Sequence, residues 1–250
     1  MHSKTIALTL GCLISVTSFA AEISVLSAGA VKAPVSSLAE SYRRETGDKI
    51  EISYGTMGFV QQKIAGGEHA DVVIATAGVM DELEKQGKVT AGSRVALGQV
   101  GVGVAVKEGA PVPDISTPEA FKLTLLKARS LVYVDPARGT SGKHFANVLQ
   151  RLSIAEAVKA RTKVVDGGYV VELVAKGEAE IGVQQISEIL PVKGVTLVGP
   201  LPAELQKTTT YTAGIMAWTK SPEAAAALIR YLTGSEGRAL FLSKGFSAPH

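Results

Sequence analysis

Three stretches of small or hydroxylated residues stand between an apolar run and an amphipathic one: Ser27-Ala28-Gly29-Ala30, Gly55-Thr56-Met57-Gly58 and Gly139-Thr140-Ser141-Gly142. A helix start leaves its first backbone N–H groups unpaired, and a start without bulky side chains lets an anion reach them. Ser27, Ala28 and Gly29, then Thr56, Met57 and Gly58, and finally Thr140, Ser141 and Gly142 are therefore candidate anion-binding residues. Ala70, within His69-Ala70-Asp71, precedes a further apolar run. Gln184, in Gln184-Gln185-Ile186-Ser187, carries an amide that donates to an oxyanion or accepts from a protonated acid. Arg138 could grip a carboxylate with two prongs. Taken singly, each is equally an ordinary helix cap, a polar loop or a solvated first turn. Their repetition in both halves of the chain points to one anion held from two sides.

Other chemistries lack their residues. There is no GxxxxGK[ST] phosphate loop, no GxSxG elbow, and His2, His69, His144 and His250 have no ligand spacing. We expect neither cofactor nor metal. Basic and acidic residues alternate, and six phenylalanines and six tyrosines are scattered, so a stacking surface for nucleic acid is not expected.

The elements around these stretches alternate between strand-like and helix-like, the pattern of parallel sheets covered by helices. Ile23 to Leu26, the alternating Ile50, Ile52 and Tyr54, and Asp71 to Ala75 read as strands. Val35, Leu38, Ala39 and Tyr42 fall at helical spacing. Val95 to Val106 is uncharged, β-branched and rich in glycine, and reads as a strand leading out of a first lobe. The pattern restarts with a helix from Pro118 to Arg129, a strand from Leu131 to Val134, a helix opened by the Gly139 stretch and one from Tyr169 to Lys176. Thr208 to Trp218 reads as a return strand, and two last helices, Pro222 to Thr233 and Ser235 to Lys244, as packing on the first lobe. The expected fold is α/β and two-lobed, each lobe a mainly parallel sheet flanked by helices and joined by two hinge strands. Residues 21–103 plus 210–250 form lobe I and 104–209 lobe II. One continuous sheet is the alternative.

The 250-residue chain starts with His2 and Lys4, an apolar stretch from Ile6 to Val16, and small residues at Ser18 and Ala20. Residues 1–20 read as a secretory signal peptide cleaved after Ala20, which places the protein in the periplasm. The apolar run is too short for a membrane span. A lipoprotein reading of Leu10-Gly11-Cys12 would put cleavage inside the apolar core. Cys12 is the one cysteine, so the mature chain would have neither disulfide nor thiolate chemistry. Its net charge would be about +2, which implies no strong preference for polyanions.

At Val25-Leu26-Ser27-Ala28-Gly29-Ala30, Ser53-Tyr54-Gly55-Thr56, Ile64-Ala65-Gly66-Gly67 with Ala70-Asp71-Val72-Val73-Ile74-Ala75, and Pro222-Glu223-Ala224-Ala225 with Gly245-Phe246, the sequence resembles the periplasmic molybdate-binding family of ABC importers. The resemblance implies a type II periplasmic binding fold. It also implies an oxyanion held near Ser27, Thr56 and Ala70, together with a tyrosine from lobe II. Gln184-Gln185 stands where that tyrosine segment would fall. A guanidinium at Arg138 suits a ligand with several carboxylates better than a tetrahedral oxyanion. The function expected is a monomeric solute-binding protein that hands a small anion to an ABC permease. A sensor docking on a membrane receptor keeps the same pocket. Aconitate isomerase resembles the same fold, so a second expectation is an isomerase that shifts an allylic proton. Its base would be His69, Lys143 or His144, with Arg138 and the helix starts steadying the charge.

Overall fold

The computed structural model describes residues 20–249. The segment read as a signal peptide, with His2 and Cys12, lies outside the described residues except for Ala20, and His250 lies outside them too.

The first lobe begins with strand β1 (Glu22–Ala28), which runs through a 3-10 turn (Gly29–Val31) into helix α1 (Lys32–Thr46). Gly47, at φ 81°, stops that helix in the left-handed conformation glycine allows. Strand β2 (Lys49–Gly55), α2 (Met57–Ala65), β3 (Val72–Thr76), α3 (Ala77–Lys85) and β4 (Val95–Val100) follow. The second lobe contains β5 (Val102–Lys107), α4 (Pro118–Lys127), β6 (Leu131–Val134), α5 (Thr140–Arg151), α6 (Ala155–Lys159) and β7 (Thr162–Val165). It ends with α7 (Glu172–Ala175), β8 (Ile181–Gln185), α8 (Ile186–Ile189) and β9 (Val195–Pro200). Strand β10 (Thr209–Ile215) then returns to the first lobe, where α9 (Pro222–Leu232) and α10 (Ser235–Ser243) close the chain.

Each lobe holds one five-stranded sheet, in the orders β2-β1-β3-β10-β4 and β7-β6-β8-β5-β9. Both sheets are mixed rather than mainly parallel. In the first, β1 pairs parallel with β2 and β3, and β10 runs against β3 and β4. In the second, β6 pairs parallel with β7 and β8, and β5 runs against β8 and β9. The reason is directional. Strands that end at the cleft share one sense, whereas β5 and β10 arrive from the opposite lobe and so start at the cleft.

The apolar run from Val95 to Val106 is thus two strands, broken at Gly101 and divided between the sheets. A Cβ on Gly101 would lie 3.0 Å from the Gln206 amide nitrogen. Gln206 belongs to the second crossing, between β9 and β10. Its Oε1 accepts from the Val102 N–H at 3.0 Å and its Nε2 donates to the Val102 carbonyl at 2.7 Å.

Each sheet buries its own core. In the first lobe Ile23, Val25, Val35, Leu38, Val60 and Val73 pack with Leu228, Leu232 and Phe241 from α9 and α10, so the final helices return to the first lobe. In the second, one face buries Phe121, Phe145 and Val148 and the other Val132, Val171, Val174 and Ile189. The helix expected from Tyr169 shrinks to the single turn of α7. Its first residues form a tight turn instead, with the Glu172 N–H donating to the Tyr169 carbonyl at 3.0 Å and the Leu173 N–H to that of Val170 at 3.1 Å, and just ahead of it Gln184 Nε2 donates to the Gly168 carbonyl at 2.7 Å.

Candidate functional site

The carboxyl ends of β1, β2, β6 and β8 face a cleft between the two sheets, the place where parallel strands and helix starts leave polar backbone unpaired. Ala28, Gly29, Ala30, Gly55, Thr56 and Met57 line it from the first lobe, and Gly139, Thr140, Ser141, Gly167 and Gly168 from the second. The cavity measures about 150 Å³.

Glycines set these helix starts by close packing. A Cβ on Gly142 would fall 1.8 Å from the Val134 carbonyl oxygen, and one on Gly139 would lie 2.3 Å from a Val134 methyl. The start of α5 therefore sits directly on the end of β6. Likewise, a Cβ on Gly55 would enter the Phe59 ring at 2.2 Å. Thr56 caps α2, its hydroxyl accepting from the Phe59 N–H at 3.3 Å.

The lobes touch across the cleft. The Gly58 N–H donates to the Arg138 carbonyl at 3.0 Å. A Cβ on Gly167 would meet the Thr56 methyl at 2.9 Å. The Lys32 ammonium lies 5.8 Å from the Tyr54 ring centre and 5.6 Å from that of Tyr169, one ring from each lobe. The two lobes are therefore in direct contact on either side of the cavity.

The floor holds the unusual group. Glu188, in the first turn of α8, lines the cleft beside Gln185 and Tyr211. Its Oε1 lies 3.4 Å from where a Gly29 Cβ would stand. The carboxyl keeps an opening to the cleft but is otherwise surrounded by protein, and no cation pairs with it among the described residues. Burial pushes it up to about 8, with the Gln184 amide opposing in part. Burial and the neighbouring Glu188 also raise Tyr211 and Tyr169 above the ordinary phenol range. Burial pushes Tyr54 up to about 12, and its hydroxyl shares a 2.9 Å hydrogen bond with Ser36. The side-chain oxygens of Gln184, Gln185 and Ser187 are buried without a hydrogen-bond partner. Of the three, Gln185 lines the cleft, so its oxygen can accept from a donor placed there.

Of the residues singled out in the sequence, Ala28, Gly29, Thr56, Met57, Thr140 and Ser141 come together in the lining. Ser27 is fully buried and turns its hydroxyl to the Ala28 carbonyl at 3.2 Å. Gly58 and Gly142 serve contact and packing, and Gln184 holds the Gly168 loop. Ala70 and His69 sit before β3, at the end of the sheet away from the cleft, where His69 packs on Trp218. Arg138 points its guanidinium outward, 3.9 Å from Asp166. His144 shares a 2.8 Å hydrogen bond with the Leu205 carbonyl, and neither it nor Lys143 is part of the lining. Sequence reasoning passed over Glu188, Lys32, Tyr169 and Tyr211. Lys32 alone left a trace, as a cation at a helix start, where the dipole disfavours it.

Residues 23–247 match the family model described as bacterial extracellular solute-binding protein. Aconitate isomerase of Pseudomonas sp. is 37% identical over 220 residues, covering 86% of this chain and 83% of that protein. The molybdate-binding protein of Azotobacter vinelandii is 29% identical over 242 residues, covering 94% and 93%. The solved structure of an Azotobacter vinelandii periplasmic molybdate-binding protein superposes with a TM-score of 0.77 at 20% identity, over 91% of this chain and 100% of that one.

Proposed function

Because the chain belongs to the bacterial extracellular solute-binding protein family, we propose that its ligand is a small carboxylic acid with more than one carboxylate, carried to an ABC permease. The observation that carries this is the span of the cleft, from the Lys32 ammonium at its mouth to the Glu188 carboxyl on its floor. Its volume is about ten times what one water requires, which leaves room for a ligand larger than a single tetrahedral oxyanion. A longer acid places one carboxylate on the helix starts and a second near Lys32. Residues 1–20 act as a signal peptide for the periplasm in this reading, the protein works as a monomer, and the lobes divide at Gly101 and before Thr209, a residue or two from the 21–103 plus 210–250 and 104–209 read from the sequence. A thermal-shift screen of molybdate, tungstate, sulfate and di- and tricarboxylates tests it, since a ligand raises stability by mass action. A shift with molybdate and tungstate alone would sink the carboxylate assignment.

A second reading is favoured by Glu188 and by the likeness to aconitate isomerase. An allylic proton shift breaks a C–H bond next to a carboxylate, moves the double bond, and returns a proton to the far carbon. Glu188 is the acid–base group we assign to it, because it lines the cleft whereas His69, Lys143 and His144 do not. The ionised carboxylate takes the first proton, the resulting acid delivers it to the other carbon, and the helix starts steady the charge between the two steps. Proton NMR of cis-aconitate mixed with the protein decides the point. Growth of the trans isomer that disappears in Glu188→Gln establishes catalysis, and tight binding without turnover establishes a carrier.

A further inference from the structure

We propose that the cleft takes up its anion together with a proton, held on Glu188 as an O–H that faces the ligand. This rests on the anion-carrier reading and deepens it; in it Glu188 holds a proton against the ligand and is not the base of an isomerisation.

Little that is charged surrounds the carboxyl. Helix α8 packs against the first-lobe 3-10 turn and against β5, β8 and β9. The turn, β8 and β9 carry no ionisable side chain, and the one on β5, Lys107, ends beside Gly177 at the far end of the strand. From the other elements, Tyr211 and Tyr169 face Glu188, and both are neutral phenols shifted upward. Gln184 is the polar neighbour. Among the described residues Lys32 is the one cation lining the same cleft, over the two mouth rings.

A site built from helix starts attracts negative charge, and an ionised Glu188 would set a second negative charge beside it in the same enclosure. Protonation removes that conflict and turns an acceptor into a donor, which an ionised ligand oxygen needs. Burial already favours the protonated form in the empty cleft. An anion arriving next to Glu188 strengthens the preference, because a like charge disfavours ionisation. Binding and protonation are therefore linked. When the cleft fills above about pH 8, the carboxylate takes one proton from solvent and becomes the acid.

The test uses the full-length mature protein with two probes, tricarballylate and molybdate, both ionised throughout pH 7–9.5. The first has no double bond and cannot isomerise. The expected result is an affinity that is constant up to about pH 8 and falls towards tenfold per pH unit above it. Glu188→Gln keeps a donor but cannot ionise, so its profile should be flat whatever its absolute affinity. Calorimetry on the unaltered protein, in buffers of different ionisation heat, reads the same event without a variant. About one proton taken up per ligand at pH 9.5 and none at pH 7 is expected. A probe that binds with no proton uptake at either pH, or a profile that persists in Glu188→Gln, overturns the proposal. Failure of both probes to bind at pH 7 overturns the anion-binding reading and the proposal with it.

Discussion

Gly58 and Arg138 join the two lobes directly, backbone to backbone, at 3.0 Å across the mouth of the cleft. A Cβ on Gly58 would lie 3.3 Å from both the Arg138 Cα and its carbonyl oxygen, so this glycine sets how closely the lobes approach. Gly58→Ala is a favourable change for the helix alone, by up to about 1 kcal/mol. Expected is an unfolding temperature that holds or rises while ligand affinity falls roughly tenfold, equivalent to about 1.4 kcal/mol. Calorimetric titration, with small-angle scattering of the ligand-saturated protein, reads both effects.

Removing the Glu188 carboxylate should change stability in a pH-dependent way. Its pKa is raised by burial, so its proton is held more tightly in the folded chain than in the unfolded one. That preference is fully present below the unfolded value near 4.5 and is lost as the pH rises through about 8. Glu188→Gln should match the unaltered protein at pH 5 and exceed it at pH 9, by a few kcal/mol at most at about 1.4 kcal/mol per unit. Scanning calorimetry without ligand at the two pH values tests the sign.

Asp71 should behave in the opposite sense. Burial pushes its carboxyl up, but the Ser24 N–H at 2.8 Å and the hydroxyls of Thr219 and Ser24 outweigh this and hold it below the usual carboxylate range. Its contribution to stability is present above the unfolded value and fades as the pH falls through the lowered one. Asp71→Asn is expected to cost about 1–3 kcal/mol at pH 7, with the gap closing below about pH 4. Urea unfolding at pH 7 and pH 3 measures it.

Gly142 has no room for a side chain. With a Cβ set 1.8 Å from the Val134 carbonyl, Gly142→Ala must push α5 off β6, at a cost of about 3 kcal/mol or more. Loss of ligand binding should accompany the lower unfolding temperature, because the same displacement moves Thr140 and Ser141.

Much of the fold was legible because Gly29, Gly47, Gly66-Gly67 and Gly139 punctuate apolar runs of clear period. The strand break at Gly101 was not, since Val95 to Val106 is uniformly apolar and only the division between two sheets cuts it. Ser27 and Arg138 show how residue type can mislead. A hydroxyl and a guanidinium suggested ligand contacts, yet the hydroxyl turns to its own backbone and Arg138 offers its carbonyl to Gly58. Glu188 was illegible for a different reason. An acid in a first turn is an ordinary helix feature, and only the approach of Gly29 from the other lobe encloses it.

Gln206 clasps Val102 by both its N–H and its carbonyl, so the two strands of chain that pass between the lobes are buttoned side by side. A pair fastened in this way resists sliding past one another and favours twisting and flexing together as a single axle. In the proposed binding reading, admission of the ligand would then be a swing with one angle to describe it. A substitution at Gln206 should give each half a looser, wandering orbit without altering any atom that the guest touches.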